Sequence, residues 1–275
     1  MTRMQGLATE FTDMKYFDSH AHYYDERFCE EWDGGADALL SELFSGGVSG
    51  IINVGTRQQT NLQAIEQARR YPNMYTALGL HPTDLRFIDY SIDKALDELK
   101  ALLTDKTAKC VALGEIGLDY HYPDTDKARQ REYFCRQMEM ARELSLPVVI
   151  HDRDAHGDVM DVIREYPEVK GVLHSFSGSV EMAEELVSLG YVISLSGTLT
   201  FKNARRPREV AQAIPLSKIL IETDAPYLAP HPQRGSLNHS GKLEFTNREL
   251  ALIKGISEEE CAKITEANAR AFFKI

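Results

Sequence analysis

The sequence predicts an α/β fold, a single-domain TIM-type (β/α)8 barrel. Three observations carry that reading: eight short apolar runs, amphipathic segments between them, and polar residues of metal-ligating type where the runs end. The runs fall near 15–19, 50–54, 74–79, 110–114, 147–150, 170–173, 191–195 and 218–221. Several are nearly continuous in apolar side chains, as expected of strands covered on both faces.

The first run ends in Ser19-His20-Ala21-His22, and two histidines two residues apart on a strand point to the same side. A helix is expected over Asp37–Phe44, whose leucines recur at helical spacing, and another over Asn61–Ala68, on either side of the second run. The third run closes on Gly79-Leu-His-Pro82. The fourth closes on Glu115, a carboxylate beside Gly114 and Gly117, where it would be poorly solvated unless a cation met it. Lys127–Leu144 reads as a long amphipathic helix before the fifth run, which ends in His151; the sixth ends in His174. Gly190 follows Leu186-Val-Ser-Leu189 as a helix-terminating glycine should, and the seventh run comes next. The eighth ends in Glu222-Thr-Asp224, where Pro226 turns the chain out of the strand. Residues 229–243 read as a long loop over the rim, and Ser257 with Glu260 makes a capping-box pattern ahead of a final helix.

In a barrel of parallel strands the C-terminal ends converge on one rim, so residues far apart in sequence meet there. His20, His22, Glu115, His151, His174 and Asp224 are therefore candidate metal ligands, with Glu115 as the bridge between cations and Asp224 also placed to take a proton from attacking water. His20 and His22 by themselves also read as two ordinary surface histidines, though their place at the end of an apolar strand favours ligands; His151 or His174 alone reads equally well as a buried, hydrogen-bonded residue. Glu222, two residues before Asp224, reads as a hydrogen-bond partner to a ligand. Imidazole and carboxylate ligation suits zinc or manganese, and two or more carboxylates leave magnesium open.

The 275 residues fit one barrel domain, assigned to residues 15–275, with 1–14 as an N-terminal tail. Met1–Met14 lacks the apolar centre of a signal peptide, and no apolar stretch approaches the roughly 20 residues that cross a bilayer. Cys29, Cys110, Cys135 and Cys261 form no CxxC pair, which fits reduced thiols and a cytoplasmic setting. A net charge of −11 argues against broad adhesion to duplex DNA or an anionic membrane, but a few local cations can still hold a phosphate.

Six blocks together resemble the TatD-like metal-dependent deoxyribonucleases of the amidohydrolase superfamily: Asp18-Ser-His-Ala-His22, Gly79-Leu-His-Pro82, Gly114-Glu-Ile-Gly-Leu-Asp-Tyr120, Pro147-Val-Val-Ile-His-Asp-Arg153, His174-Ser-Phe-Ser-Gly178 and Glu222-Thr-Asp-Ala-Pro-Tyr-Leu-Ala-Pro230. The resemblance spans about residues 16–273 and implies the same barrel and the same six ligand positions. It also implies two, or up to three, divalent ions (Zn, Mg or Mn) and hydrolysis of DNA from single-stranded 3′ ends, with no obligate protein partner. His81 matches a position facing the substrate phosphate, against the plainer reading of a turn histidine held by Pro82. Arg153 reads as a phosphate clamp or as a partner of Asp152 or Asp154. Arg234 and Asn238 sit in the family's Arg-Gly-Lys-x-Asn-x-Pro loop as substrate-binding candidates, but Ser236 replaces its lysine and Ser240 its proline, which implies one fewer cation and a freer backbone.

Asp119 and Gln130 are expected to orient the Glu115 segment; His121, His156, His231 and His239 receive no role. Lys202, Arg205, Arg206 and Arg208 read as a charged helix face or as a backbone-tracking patch. Tyr120, Tyr122, Phe176, Phe201 and Tyr227 read as packing residues or as base-stacking ones. The competing functions are ester hydrolysis, such as deacylation of D-aminoacyl-tRNA or lactone opening, and a non-catalytic nucleic-acid-binding protein. Many superfamily relatives with ester or lactone substrates bridge their metals through a carbamylated lysine, a place taken here by Glu115, and a binding-only relative would lack a ligand.

Deletion of residues 1–13 is expected to leave melting temperature and activity unchanged, since this short polar segment has little apolar surface to bury. A large fall in either would show that the segment packs on the barrel.

Overall fold

A computed structural model describes residues 14–275. The proposed tail, Met14 excepted, lies outside the described residues. Eight strands follow one another around one sheet: β1 Tyr16–Ala21, β2 Val48–Val54, β3 Met74–Leu78, β4 Cys110–Asp119, β5 Val148–Arg153, β6 Gly171–Leu173, β7 Val192–Leu195 and β8 Ile219–Ile221. Every neighbouring pair is parallel, and the expected (β/α)8 barrel is the architecture found.

Helices fill the connections: α1 Arg27–Glu31, α2 Gly35–Ser45, α3 Gln58–Arg70, α4 Ile92–Thr104, α5 Lys127–Leu144, α6 His156–Glu165, α7 Val180–Ser188, α8 Arg205–Ala213, α9 Leu243–Lys254 and α10 Glu258–Phe273. The Ser257 hydroxyl accepts from the Glu260 amide at 3.1 Å and starts α10. Gly190, at φ +90°, follows α7 where a left-handed residue is needed. None of the described helices is long and apolar enough to cross a membrane.

Two apolar layers result from strand alternation. Phe17, Ile52, Val54, Ala77, Ala112, Val149, Val172, Val192 and Leu220 fill the barrel interior, with Ala269 and Phe273 of α10 packed against them. Side chains such as Leu78, Leu113, Ile150, Leu173, Ile193 and Ile221 pack outward under the helices.

The strands carrying ligand candidates run further than their apolar stretches. β4 continues past Glu115 to Asp119, because Gly117 pairs with His151 and Asp119 with Arg153. Glu115 and His151 therefore lie within strands rather than after them, as does His20 in β1. Register shifts fall between Asp18 and Ala21 and between Leu113 and Ile116, where such irregularities re-aim side chains.

The seam between β8 and β1 is closed differently from the others, by one isolated bridge, Ala21 to Ala225, and by side chains. The Ser19 hydroxyl donates to the Ile221 carbonyl at 3.0 Å, and the His22 amide to the Ala225 carbonyl at 2.7 Å. Asp18 is fully buried and accepts from the Thr223 amide and hydroxyl, the Ser240 hydroxyl and the His20 amide. Burial pushes its carboxyl up to about 7 even with these donors in place.

Thr223→Val keeps side-chain volume but removes one donor to this buried carboxyl. It is expected to lower stability by about 1–3 kcal/mol, read as a lower urea midpoint at unchanged m. An unaltered midpoint would show that the seam does not depend on this bond.

Candidate metal centre

Glu115 sits at the bottom of the rim, 3 % exposed, with each carboxylate oxygen facing a different group of side chains. Its Oε2 lies 3.3 Å from His20 Nε2 and 3.7 Å from His22 Nε2; Asp224 Oδ1 is 3.7 and 3.3 Å from those same two nitrogens. Its Oε1 lies 2.9 Å from His151 Nδ1, 2.8 Å from His174 Nε2 and 3.3 Å from His81 Nε2. The structure thus gathers all six proposed ligands, from strands β1, β4 and β5 and the segments after β1, β6 and β8, around the two oxygens of Glu115. The groups close enough to hold a cation are His20, His22 and Asp224; His20, His174 and Glu222; and His81, Glu115 and His151.

Three close approaches let Glu115 reach that depth. A Cβ on Gly79 would meet the Glu115 backbone at 2.7 Å, one on Gly114 would meet Val149, and one on Gly117, at φ +134°, would run into the His151 carbonyl. Only glycine fits these contacts.

For four of the five histidines the other ring nitrogen tells which proton form the ring takes; His20 Nδ1 is buried without a hydrogen-bond partner. His22 Nδ1 is 2.7 Å from the Val54 carbonyl, so it carries the proton and leaves Nε2 free as a ligand. His151 uses Nε2 on Asp119 at 3.0 Å, and His174 uses Nδ1 on Glu222 at 3.3 Å, which frees the nitrogens turned toward Glu115. Glu222 thus has the expected supporting position. Asp119, expected to orient the Glu115 segment, instead holds His151 through its carboxylate, while Gln130 accepts from its amide at 2.9 Å. His81 is the reverse case: its Nδ1 accepts from the Thr83 amide at 3.2 Å, so Nε2–H is a donor and does not serve as a ligand.

Electrostatics follow the same division. Burial pushes the Glu115 carboxyl up, but the surrounding imidazoles, His174 foremost and with a hydrogen bond from His151, outweigh it and hold the group well below the usual range. Burial opposes charge on His174 and His22, yet Glu115 with Glu222 or Asp224 leaves both raised, His174 by far the more. His151 is raised through Asp119 and Glu115 against its own burial. His81 is lowered, chiefly by burial, which keeps it neutral. Asp224 is held low because His22 and its neighbours outweigh burial, so its carboxylate stays ionised.

A cleft of about 690 Å³ opens over this centre, lined by His81, Arg153, Tyr122 and Tyr227 among others. Arg153 thus reaches the cleft and forms no ion pair with a described residue, which removes the expected alternative of pairing with Asp152 or Asp154. Those carboxylates instead hold His156 and His121. Tyr120, Phe176 and Phe201 lie outside the cleft lining, and Arg205 and Arg208 are paired with Glu209 and Glu249.

The loop after β8 departs from expectation. Asn238 is fully buried, and its amide donates to the Thr223 and Tyr227 carbonyls, so it pins the loop instead of facing the cleft. Arg234 stacks on Phe201 at 4.1 Å, also outside the cleft lining. Ser240 is not a loosened rim residue: its amide donates to the Tyr23 hydroxyl at 2.9 Å, a bond proline cannot make, and its hydroxyl donates to Asp18. Nor is Ser236 without a cation, since the Lys242 ammonium donates to its hydroxyl at 2.6 Å. Burial pushes that lysine down to about 8.

Arg57 and Phe87 line the cleft as well, and sequence reading passed over both. The position just past a strand end, which singled out the ligands, also marks Arg57 after β2; nothing local marks Phe87.

Comparison with known proteins agrees with this geometry. The model of the family described as TatD related DNase matches residues 17–274. The chain is 37 % identical over 263 residues to the uncharacterised metal-dependent hydrolase YabD of Bacillus subtilis, covering 94 % of this chain and 99 % of the relative. It is 35 % identical over 260 residues to YcfH of Escherichia coli, described in the same terms, covering 94 % and 95 %. The crystal structure of the TatD homologue YjjV from E. coli superposes with a TM-score of 0.87 at 30 % identity, covering 96 % of this chain and all of that one.

Protons held on His174, His22 and His151 compete with a cation. Because their pKa values lie above the ordinary histidine value, metal affinity is expected to fall as pH is lowered through and above 6.5, and metal binding near neutral pH to release protons. Calorimetry of zinc binding to metal-free protein in buffers of different ionisation enthalpy checks this. Equal heats after correction for buffer–metal complexation would mean no proton is displaced.

Proposed function

The chain belongs to the TatD-related DNase family of metal-dependent hydrolases, and from that membership we propose that it cleaves phosphodiester bonds at the 3′ ends of single-stranded DNA. The observation that carries the reading is the division of Glu115 between two ligand sets: Oε2 with His20, His22 and Asp224, and Oε1 with His151 and His174. The donor set fits two divalent ions of the Zn, Mn or Mg kind, with room in the proposal for a third. When bound, such ions lower the pKa of a water and offset charge on a phosphate.

The protein's own groups supply the rest. Asp224, ionised and at the rim, accepts the proton of the attacking water. The His81 Nε2–H, fixed as a donor by Thr83, bonds a non-bridging phosphate oxygen, and Arg153 adds a positive charge at the cleft wall. Tyr122 and Tyr227, 48 % and 45 % exposed within the same cleft, offer flat faces to unstacked bases, which favours single strands. Four free cysteines support a reducing, cytoplasmic setting, and no obligate protein partner is part of the proposal.

A time course on end-labelled single-stranded DNA tests the reading. Stepwise release from the 3′ end is expected only with divalent metal, and Glu115→Gln is expected to lose at least about a hundredfold in rate. Full cleavage by protein shown to be metal-free would refute the mechanism. Release of amino acid from D-aminoacyl-tRNA, or lactone opening, with DNA left intact would move the substrate to carboxyl esters.

A further inference from the structure

Two arginines share one exposed aromatic ring at the edge of the cleft. The Arg57 guanidinium lies 4.6 Å from the Phe87 ring centre and that of Arg86 lies 4.9 Å from it. Phe87 ends the 3-10 turn Pro82–Phe87 that begins beside His81, and it is 54 % exposed, although a ring of this size gains from burial. The Arg57 Nε is buried with no hydrogen-bond partner. Among the described residues neither arginine has a carboxylate in ion-pair range, whereas Arg69, Arg70, Arg131 and Arg136 on the outer helices each hold one. The nearest acid on the turn, Asp84, accepts from the Thr56 hydroxyl at 2.7 Å.

This group bridges two depressions. Arg57 and Phe87 line the main cleft, while Arg86 lines a second one of about 390 Å³, and the two share Thr83 and Tyr122. The second depression is lined by Arg129 as well, and by Asp124 and Asp126. A lone phosphate would need the cations but not the bare ring, and an apolar ligand the ring but not the cations. A nucleotide uses both.

We propose that Arg57, Phe87 and Arg86 form a subsite for a nucleotide on the 5′ side of the scissile bond, with the base against the exposed part of the Phe87 ring and its flanking guanidinium planes, and the phosphodiester on the outward N–H edges of those guanidinium groups. The proposal rests on the DNA reading above and gives it a length dependence: affinity is set by a strand long enough to reach this ring. Each arginine–phosphate contact on a single strand adds about 0.7 to the slope of log affinity against log salt.

The metal-loaded protein is titrated with dinucleotide and octanucleotide phosphorothioates at several salt concentrations. Phe87→Ala is expected to weaken octanucleotide binding about tenfold and to shrink its advantage over the dinucleotide. Arg57→Gln and Arg86→Gln are each expected to reduce the salt slope by about 0.7. In Phe87→Trp the new indole should be quenched by the octanucleotide, distinguishable from Trp32, which is buried. Unchanged affinity, slope and fluorescence with the octanucleotide phosphorothioate in all variants, while the unmodified octanucleotide is still cleaved, overturns the subsite and leaves the DNA reading standing. Octanucleotide that the wild type neither binds nor cleaves, while it hydrolyses another ester, overturns both.

Discussion

The fold is organised around one buried negative charge. An unpaired carboxylate at the depth of Glu115 would cost several kcal/mol, and no apolar barrel interior tolerates that without compensation. Compensation comes from imidazoles on β1 and β5, just past β1 and β6, and in the connection after β3, which have to converge within about a hydrogen-bond length of it. That convergence sets what may stand elsewhere. Gly79, Gly114 and Gly117 are required so that the neighbouring strands can close on the carboxylate, and Val54, Asp119 and Glu222 are required so that His22, His151 and His174 turn the correct nitrogen inward.

The five histidines at one centre do not share one role. His22, His151 and His174 are held as acceptors toward the centre, each by a partner on its far nitrogen, whereas Thr83 makes His81 a donor. Residue type alone does not separate these cases. The separation depends on which backbone amide or carbonyl the fold brings behind the ring.

Much of this was legible in the sequence. The barrel and its six candidate ligands could be read because a polar residue interrupts an apolar run where a strand meets the rim, and the topology then forces those interruptions together. The extent of β4 and β5 was not legible, since the polar residues that mark the centre also hide the continuation of the ladder beyond it. The positions of Arg234, Asn238, Ser240 and Lys242 depend on the path of the loop after β8, which neither periodicity nor propensity specifies. Phe87 and its two arginines lie on a turn and a helix start far apart in sequence, and only the folded chain shows that they touch.

The lightly bonded seam between β1 and β8 has a mechanical meaning. His20 and His22 stand on one side of it and Asp224 on the other, roughly two hundred residues apart along the chain, so a cation gripped by all three acts as a cross-link. Small secreted proteins fasten distant segments with sulfur; this barrel has the ligands to clasp its first strand to its last with an ion. Loading the centre would then tighten the whole hoop, and the loss of one ion would loosen the staves as well as stop the chemistry.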